Sequence, residues 1–119
     1  MGQVFNVPST VVIPNSGSLS NAITLGSGVF VGIVIPAAWT TANLTFQVSV
    51  DGVTYVELYD DGGNEYTATV SGVSTMVNLT SAMFASAIFV KVRSGTSASA
   101  VNQGAARTLV CVTRKLALR

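Results

Sequence analysis

The first fifty residues of this chain contain no aspartate, glutamate, lysine, arginine or histidine. Only 9% of the 119 residues carry charge, whereas about a quarter do in an average soluble domain. Soluble surfaces normally intersperse charges of both signs, which keeps molecules apart. The scarcity of charge therefore predicts that much of this protein's surface lies against neighbouring subunits of an assembly.

Histidine is absent from the whole chain, which removes the commonest general base and metal ligand. Neither lysine lies in a recognisable Ser–Lys arrangement that would activate a serine. Glu57 and Glu65 have the residue type of a glycosidase pair, but acids in hairpins are normally solvated turn and edge charges. We therefore expect no catalytic residues, no cofactor and no enzymatic activity.

Cysteine and long apolar runs are also scarce. The single Cys111 excludes an internal disulfide and a cysteine-based zinc cluster, and its apolar neighbours predict a buried, inert thiol. The most apolar run, residues 29–35, ends at Pro36, far short of the ~20 residues that a membrane-spanning helix needs.

Neither the N-terminal sequence nor the net charge indicates a particular binding partner. The N-terminus lacks the basic and apolar regions of a signal peptide. The net charge of +1 creates no field that would attract nucleic acid or an acidic membrane. We predict neither as a partner, and we expect synthesis in a reducing cytoplasm.

The residues that are abundant favour strands. Val, Thr, Ser and Gly dominate, strong helix formers are few, and short apolar or alternating runs recur between turn residues. This pattern is typical of an all-β antiparallel sandwich, jelly-roll-like, with an extended N-terminal arm. We expect strands near 10–14, 22–25, 29–35, 44–50, 54–59, 65–70, 75–79, 88–93 and 107–114, and one helical turn within 79–84.

The first 28 residues are uncharged and rich in Ser, Asn and Gly. Their apolar side chains are too numerous for a solvated tail, so they must be buried against the parent sandwich or against a neighbour. We predict an N-terminal arm or the first strands in residues 1–28, and the sandwich domain in residues 29–119. The candidate arm interface consists of Val4, Phe5, Val7, Val11, Val12 and Ile13.

Charge is segregated along the chain, because all acids lie between 51 and 65 and all bases between 91 and 119. We predict that an acidic edge of one copy meets a basic edge of the next, in a heterologous contact that closes into a ring. The expected pairing residues are Asp60, Asp61 and Glu65 on one side and Arg107, Arg114 and Lys115 on the other.

Two further features carry alternatives. The turn 60–65 holds oxygen ligands of the kind calcium prefers, but it lacks EF-hand spacing, so we expect a plain acidic turn and no metal site. Trp39, Tyr55 and Tyr59 lie near the acidic hairpins and are a candidate platform for stacking on a sugar ring. Trp39 alternatively packs as a lid on the core with its indole N–H paired.

The strand-and-turn pattern of residues 29–114 resembles a known family. The segments that carry the resemblance are 38–52, 56–60, 88–96 and Asn102-Gln103. They are similar to small β-sandwich proteins from the structural gene clusters of tailed phages, of the capsid decoration (cement) or head-spike-base type. The strand ending in Ser49-Val50-Asp51-Gly52, followed by an aromatic residue and an acidic turn, also resembles discoidin-type jelly-roll sugar-binding domains.

The resemblance implies a virion protein that binds the outer capsid lattice, often as a trimer, and it brings no catalytic residues with it. We therefore expect homo-oligomerisation, binding to the major capsid protein or other virion proteins, and a place on the capsid exterior. The alternatives are a carbohydrate-binding module displayed on the virion, or a head-fibre, neck or tail adaptor subunit.

Overall fold

The computed structural model describes residues 2–118, which form eight strands and one short 3-10 turn. The strands are β1 (Gly2–Ile13), β2 (Leu19–Thr24), β3 (Val29–Val34), β4 (Leu44–Ser49), β5 (Val56–Glu57), β6 (Met76–Asn78), β7 (Phe89–Ser94) and β8 (Arg107–Leu118). The 3-10 turn, Ser81–Phe84, lies inside the segment for which the sequence predicts a helical turn. No helix in this part of the chain is long and apolar enough to cross a membrane.

The strands pair as a nested set of antiparallel hairpins. The chain folds back on itself at β4 and β5, and working outward β3 pairs with β6, β2 with β7, and β1 with β8. Rolling this long hairpin up gives sheet A, in the order β1-β8-β3-β6, and sheet B, in the order β2-β7-β4-β5. Eight strands in two such sheets make a jelly roll, which confirms the predicted fold class.

Alternation along the strands builds the core between the sheets. In β4, Leu44 and Phe46 are fully buried against sheet A, and Gln47 lies on the opposite face of sheet B beside Glu57. Because successive side chains point to opposite faces of a strand, this alternation sets which face of sheet B is buried. Ile33 and Leu109 provide the matching buried surface from sheet A.

Four aromatic rings hold the two sheets together. Phe30 of sheet A and Phe46 of sheet B lie with ring centroids 6.0 Å apart, nearly perpendicular to each other. Phe84, delivered by the 3-10 turn, packs 5.0 Å from Phe30 and 5.1 Å from Phe46. Tyr66 stacks on Phe46 at 5.8 Å, and its hydroxyl accepts a hydrogen bond from the Thr80 N–H at 3.0 Å. Edge-to-face pairs such as Phe30–Phe46 and Phe46–Phe84 are a favoured geometry for aromatic rings.

The first 28 residues supply one strand to each sheet. Val11 and Ile13 of β1 and Ile23 and Leu25 are buried in the core. Strand β1 is much longer than the predicted 10–14, because it pairs with β8 over its whole length, from Gly2↔Leu118 to Ile13↔Arg107.

The predicted strand at 65–70 is wrong. This segment makes only isolated bridges, including Leu44↔Ala68 and Tyr59↔Glu65. Its backbone donors go to separate parts of the chain: the Tyr66 N–H donates to the Leu58 carbonyl at 3.0 Å and the Ala68 N–H to the Leu44 carbonyl at 2.8 Å. The Val70 N–H donates to the Asn43 side-chain oxygen at 3.0 Å, so no continuous ladder forms.

The far ends of β1 and β8 extend beyond the sandwich as a two-stranded ribbon. Strand β3 stops pairing with β8 at Val29↔Arg114, so from Lys115 onward β8 is paired with β1 alone. We call residues 2–6 together with 114–118 the ribbon. The molecule measures 46 × 31 × 25 Å along its principal axes.

Replacing Phe84 by alanine tests the aromatic cluster. Phe84 is 1% exposed and contacts Phe30, Phe46 and Tyr66, so Phe84→Ala is expected to lower the free energy of unfolding by ~3–5 kcal/mol. Urea denaturation measures this change. Tyr59→Ala, at a ring that is 53% exposed, is the control and is expected to cost less than ~1 kcal/mol. Equal losses in the two variants would contradict the assignment of Phe84 to the core.

Candidate functional site

The outer face of sheet A is an almost uncharged apolar surface. By strand register and alternation its apolar members are Val4, Val12, Val29, Val34, Met76, Val110, Val112 and Leu116, and the exposed polar residues Asn6, Thr10, Asn78 and Thr108 lie on the same face. Five of the eight apolar residues are substantially exposed, from 37% for Val29 to 58% for Val4. Within residues 2–118, the ionisable side chain on this face is Arg114, whose Nε donates to the Asn6 side-chain oxygen at 3.2 Å. We call these eight residues the apolar face.

The apolar face has the sequence pattern of a covered surface. Strands β3 and β8 contain the nearly continuous apolar runs VFVGIV and LVCV, whereas β4 and β7 read LTFQVS and FVKVRS and place polar residues on the outer face of sheet B. Continuous apolar runs are typical of strands buried on both faces, and alternation is typical of strands with one solvated face. Among the residues that the structure describes, those that cover sheet A lie on its inner face.

The edges of the sheets are poor templates for another strand. At one end of each sheet the edge strand is short, with two residues in β5 and three in β6. On the long edge strand β1, the Val12 N–H that points away from β8 is accepted by the Asn21 side-chain oxygen at 2.8 Å. The backbone nitrogen of Pro8 points the same way as that of Val12, four residues later. Because proline has no N–H, this edge has one hydrogen-bond donor fewer. Short edge strands and proline oppose edge-to-edge pairing at these positions.

The outer face of sheet B is polar and internally paired. Arg93 is 6% exposed, and its two terminal nitrogens contact the Glu57 carboxylate at 2.7 and 2.9 Å. Arg93 Nη1 also lies 3.4 Å from Glu65 Oε2, and the Gln47 amide donates to Glu57 Oε2 at 3.0 Å. The hydrogen bond from Arg93, assisted by the one from Gln47, lowers the pKa of Glu57 below its ordinary value of 4.5. This network binds β5, β7 and the turn 60–65 to one another.

The structure changes the predicted arm interface. Val11 and Ile13 are 1% and 0% exposed. Their side chains are buried in this chain's own core, so the prediction that they contact a neighbour is wrong. Val7 is half-buried, while Val4, Phe5 and Val12 are exposed. Val4 and Val12 belong to the apolar face, and Phe5 lies on the other side of the ribbon, opposite Lys115.

Three of the six residues in the predicted charge pairing make bonds within the chain. Glu65 is bound by Arg93 within the chain. Arg107 donates to the Gln103 and Thr40 side chains at 3.1 and 3.3 Å. Arg114 donates to Asn6, as described above. These internal bonds engage part of each side chain, and the guanidinium groups of Arg107 and Arg114 keep further N–H donors.

Position within the fold also separates the remaining partners. Asp60 and Asp61 lie in the turn after β5, at the Leu44 end of β4, where Gly95 N–H donates to the Asn43 carbonyl. Lys115 lies on the ribbon, which leaves the sandwich at the opposite end. The Asp60–Asp61 turn and Lys115 therefore lie at opposite ends of the molecule, and their pairing between copies stays a prediction.

The predicted aromatic platform is not assembled. Trp39 is 9% exposed, belongs to the core, and donates its indole N–H to the Ala42 carbonyl at 3.3 Å, so the prediction that it stacks on a ligand is wrong and its role as a core lid is correct. Tyr55 carries the Lys91 ammonium over its ring at 4.4 Å. Tyr59 is exposed beside the acidic turn. Because Lys91 covers the Tyr55 ring and Trp39 is buried, the three rings do not form a common surface on which a sugar could stack.

The acidic turn caps its own backbone. Asp60 Oδ1 accepts the N–H groups of Gly62 and Asn64, both at 2.9 Å, which is the usual role of an aspartate in such a turn. Among residues 2–118 no three acidic, histidine or cysteine side chains gather into a group that could hold a metal ion.

Sequence reasoning overlooked most of the apolar face, although a signal was present. In β3 and β8 both the inward-facing and the outward-facing residues are mostly apolar. A strand with apolar residues on both faces is typical of a sheet that is covered on both sides. The sequence pattern does not show that these strands are neighbours in one sheet, next to β6 and its Met76. Only the strand order shows this.

The Glu57 carboxylate predicts how stability depends on pH. Its pKa is lowered in the folded state, so it stabilises the fold above its ordinary pKa of 4.5 and this contribution is lost as the pH falls through the lower, folded value. Glu57→Gln is therefore expected to be less stable than the wild type by ~1–2 kcal/mol at neutral pH, with the difference shrinking in acid. Urea unfolding at pH ~7 and pH ~3 measures both values.

The control for this experiment is Asp61→Asn, which removes an exposed carboxylate from the turn 60–65. It is expected to keep the wild-type pH profile. A Glu57→Gln deficit that is equally large at both pH values would show that Glu57 stabilises the fold through packing rather than through its charge.

No family model matches this chain, and no curated protein or solved structure matches it either. The resemblance to phage decoration proteins therefore stays a prediction. The jelly-roll fold and the apolar face are the observations on which a functional proposal for this chain rests.

Proposed function

We propose that this chain is a non-enzymatic structural subunit that assembles through its apolar face and decorates the outer surface of a tailed-phage capsid. The observation that carries the proposal is the uncovered outer face of sheet A, with Val12, Val29 and Met76 between 37% and 54% exposed on one sheet. Exposed apolar patches on soluble proteins mark interaction sites when they are contiguous.

Covering the apolar face supplies the driving force for assembly. Removing apolar surface from water stabilises an assembly by ~25 cal/mol per Å² before the entropic cost of association is subtracted. The central residues Val110 and Val112 are already half-buried by their neighbours, so part of their side-chain freedom is lost before the surface is covered. Little conformational entropy is lost when such a surface is covered.

Other copies of the chain are the first partner in this proposal, and the major capsid protein is the second. Homo-oligomers close by rotation, and the resemblance to decoration proteins favours a trimer. The jelly-roll fold itself occurs in viral capsid proteins and in lectins, so the fold does not choose between them. The buried Trp39 weakens the sugar-binding alternative, and the apolar face favours the assembly alternative.

The surroundings proposed for the protein are the capsid exterior, after synthesis in the host cytoplasm. The buried thiol of Cys111, whose pKa burial raises to about 12, is inert under both oxidising and reducing conditions. The fold therefore requires no particular redox compartment.

The native mass of the protein tests assembly through the apolar face. At micromolar concentration the wild type is expected to be an oligomer, with a trimer favoured, by light scattering coupled to size-exclusion chromatography. Val112→Lys places a charge at the centre of the apolar face and is expected to give a folded monomer, because an uncompensated ammonium cannot be buried in an interface.

Val73→Lys is the matched control, since Val73 is 48% exposed but does not lie on the apolar face. It is expected to keep the wild-type mass. A Val112→Lys variant that remains oligomeric would assign assembly to another surface. A wild type that is monomeric at all concentrations would remove self-assembly from the proposal.

The virion itself tests the decoration role. Quantitative mass spectrometry of purified particles of the phage that encodes this chain is expected to find it in a constant ratio to the major capsid protein, near the number of lattice sites. A few copies per particle would place it in the neck, tail or fibre base. Its absence from the particle would overturn the virion assignment.

A further inference from the structure

A cleft of about 480 Å³ opens at one end of the sandwich, next to the β4–β5 connection. Its walls are apolar and are formed by Val48, Val50, Val56, Leu58 and Ala87. Val50 and Val56 are 69% and 57% exposed, so nothing in the described chain fills it. Its volume is within the ~300–1,000 Å³ of ordinary ligand pockets. A cleft of this size can hold one large side chain together with parts of the residues adjacent to it in the chain.

The rim of the cleft carries a fixed negative charge. Asp51 lines the opening, and its Oδ1 accepts the N–H groups of Val53 and Thr54 and the Ser49 hydroxyl, each at 2.9 Å. These hydrogen bonds, led by those from the Val53 and Thr54 backbone, lower the pKa of Asp51. The turn requires glycine at position 52 for two reasons. Gly52 has a positive φ of 78°, and a Cβ there would lie 3.2 Å from the Phe89 ring.

The ribbon has the complementary character. Phe5 projects from the side of the ribbon that continues the inner face of sheet A, and it is 41% exposed. Lys115 is its direct cross-strand partner. Its aliphatic stem lies over Gly28, where an added Cβ would come within 3.0 Å of Lys115 Cγ. Within residues 2–118, the ion pairs formed in the structure are those of Arg93, so the Lys115 ammonium has no carboxylate beside it.

The ribbon and the cleft lie at the same end of the molecule. The base of the ribbon is at Arg114, which pairs with Val29, and Gly28 N–H donates to the Leu25 carbonyl at 2.8 Å. Leu25 N–H donates to the Ile88 carbonyl at 2.7 Å. Ile88 N–H in turn donates to the carbonyl of Ser49, which lines the cleft, at 3.1 Å.

This shared position decides how two copies can meet. In a closed ring whose axis runs along the long dimension, rotation keeps each end of every subunit at one height. In such a ring the ribbons and clefts of adjacent copies lie at one height and can meet, whereas the acidic turn 60–65 remains at the other end.

From this geometry we infer that the ribbon of one copy docks into the cleft of the next, with Phe5 as the anchor and Lys115 beside Asp51 of that neighbour. The inference rests on the proposed function, since it names the contact through which adjacent copies recognise each other. Aromatic anchors in apolar pockets dominate the energy of such contacts, and a rim ion pair sets orientation more than affinity. The other side of the ribbon, with Val4 and Leu116, continues the apolar face.

Disulfide trapping between two singly substituted proteins tests the contact. Gln3→Cys lies on the Phe5 side of the ribbon and leaves Phe5 intact, and Thr54→Cys lies at the rim of the cleft. Mixed in equal amounts under mild oxidation, they are expected to give mainly the mixed disulfide dimer. Native Cys111 does not compete, because it is buried and its pKa is raised to about 12.

The matched control replaces Thr54→Cys by Thr67→Cys, an exposed threonine at the opposite end. It is expected to give little of the mixed dimer. Equal yields from the two pairs would overturn the inference, as would a predominance of Gln3→Cys homodimers. Crosslinking of Thr54→Cys to a different protein in the purified virion, instead of to Gln3→Cys, would assign the cleft to that protein and overturn it as well.

Affinity measurements separate the anchor from the charge. Phe5→Ala is expected to weaken self-association about 30-fold, which corresponds to about 2 kcal/mol at 1.4 kcal/mol per tenfold change. Asp51→Asn keeps the oxygen that caps the turn but removes the charge, and it is expected to weaken association about 3-fold and to reduce its dependence on salt. Asp61→Asn, at the other end, is expected to change neither.

These outcomes distinguish the inference from the proposed function. If Phe5→Ala associates as tightly as the wild type while Val112→Lys is monomeric, the ribbon contact is wrong and assembly through the apolar face stands. If the wild type is monomeric and missing from the virion, both fail.

Discussion

The structure depends on the packing of aromatic rings between its two sheets. Phe30 and Phe46 come from different sheets, and Phe84 fits between them from the 3-10 turn. Edge-to-face contacts tolerate little displacement, so they fix how sheet A lies over sheet B. Once that arrangement is fixed, one face of each sheet is committed to the core, and the chemistry of the two outer faces is what the protein shows to its surroundings.

The two outer faces differ in kind. Sheet B presents Arg93, Glu57 and Gln47, which are paired by an ion pair and hydrogen bonds. Sheet A presents valines, Met76 and Leu116. A surface of the first kind is stable in water by itself, while one of the second kind is stabilised by being covered. The few charges of a chain with 9% charged residues thus lie mostly off the outer face of sheet A, and the proposal of assembly rests on the apolar face that remains.

Much of the fold was predictable because it depends on local patterns. The alternation in β4 and β7, the Asp51-Gly52 turn and the helical turn near Phe84 follow from neighbouring residues alone. The length of β1 and the loop at 65–70 were not predictable, because they depend on distant partners: β8 lies about a hundred positions from β1 in the chain, and Arg93 holds Glu65 from another strand. The same holds for Val11 and Ile13, which look like an exposed arm until β8 and sheet B cover them.

The candidate site divides in the same way. The amino-acid sequence by itself determined the all-β class, the scarcity of charge and the apolar character of both phases of β3 and β8, since these are properties of residues and their spacing. Only the tertiary structure decided which apolar residues share one open face, that Glu65 and Arg107 are bound within the chain, and that the ribbon and the cleft lie at one end. Strand order and register join residues far apart in the chain, and periodicity within a strand contains no information about which strand lies beside it.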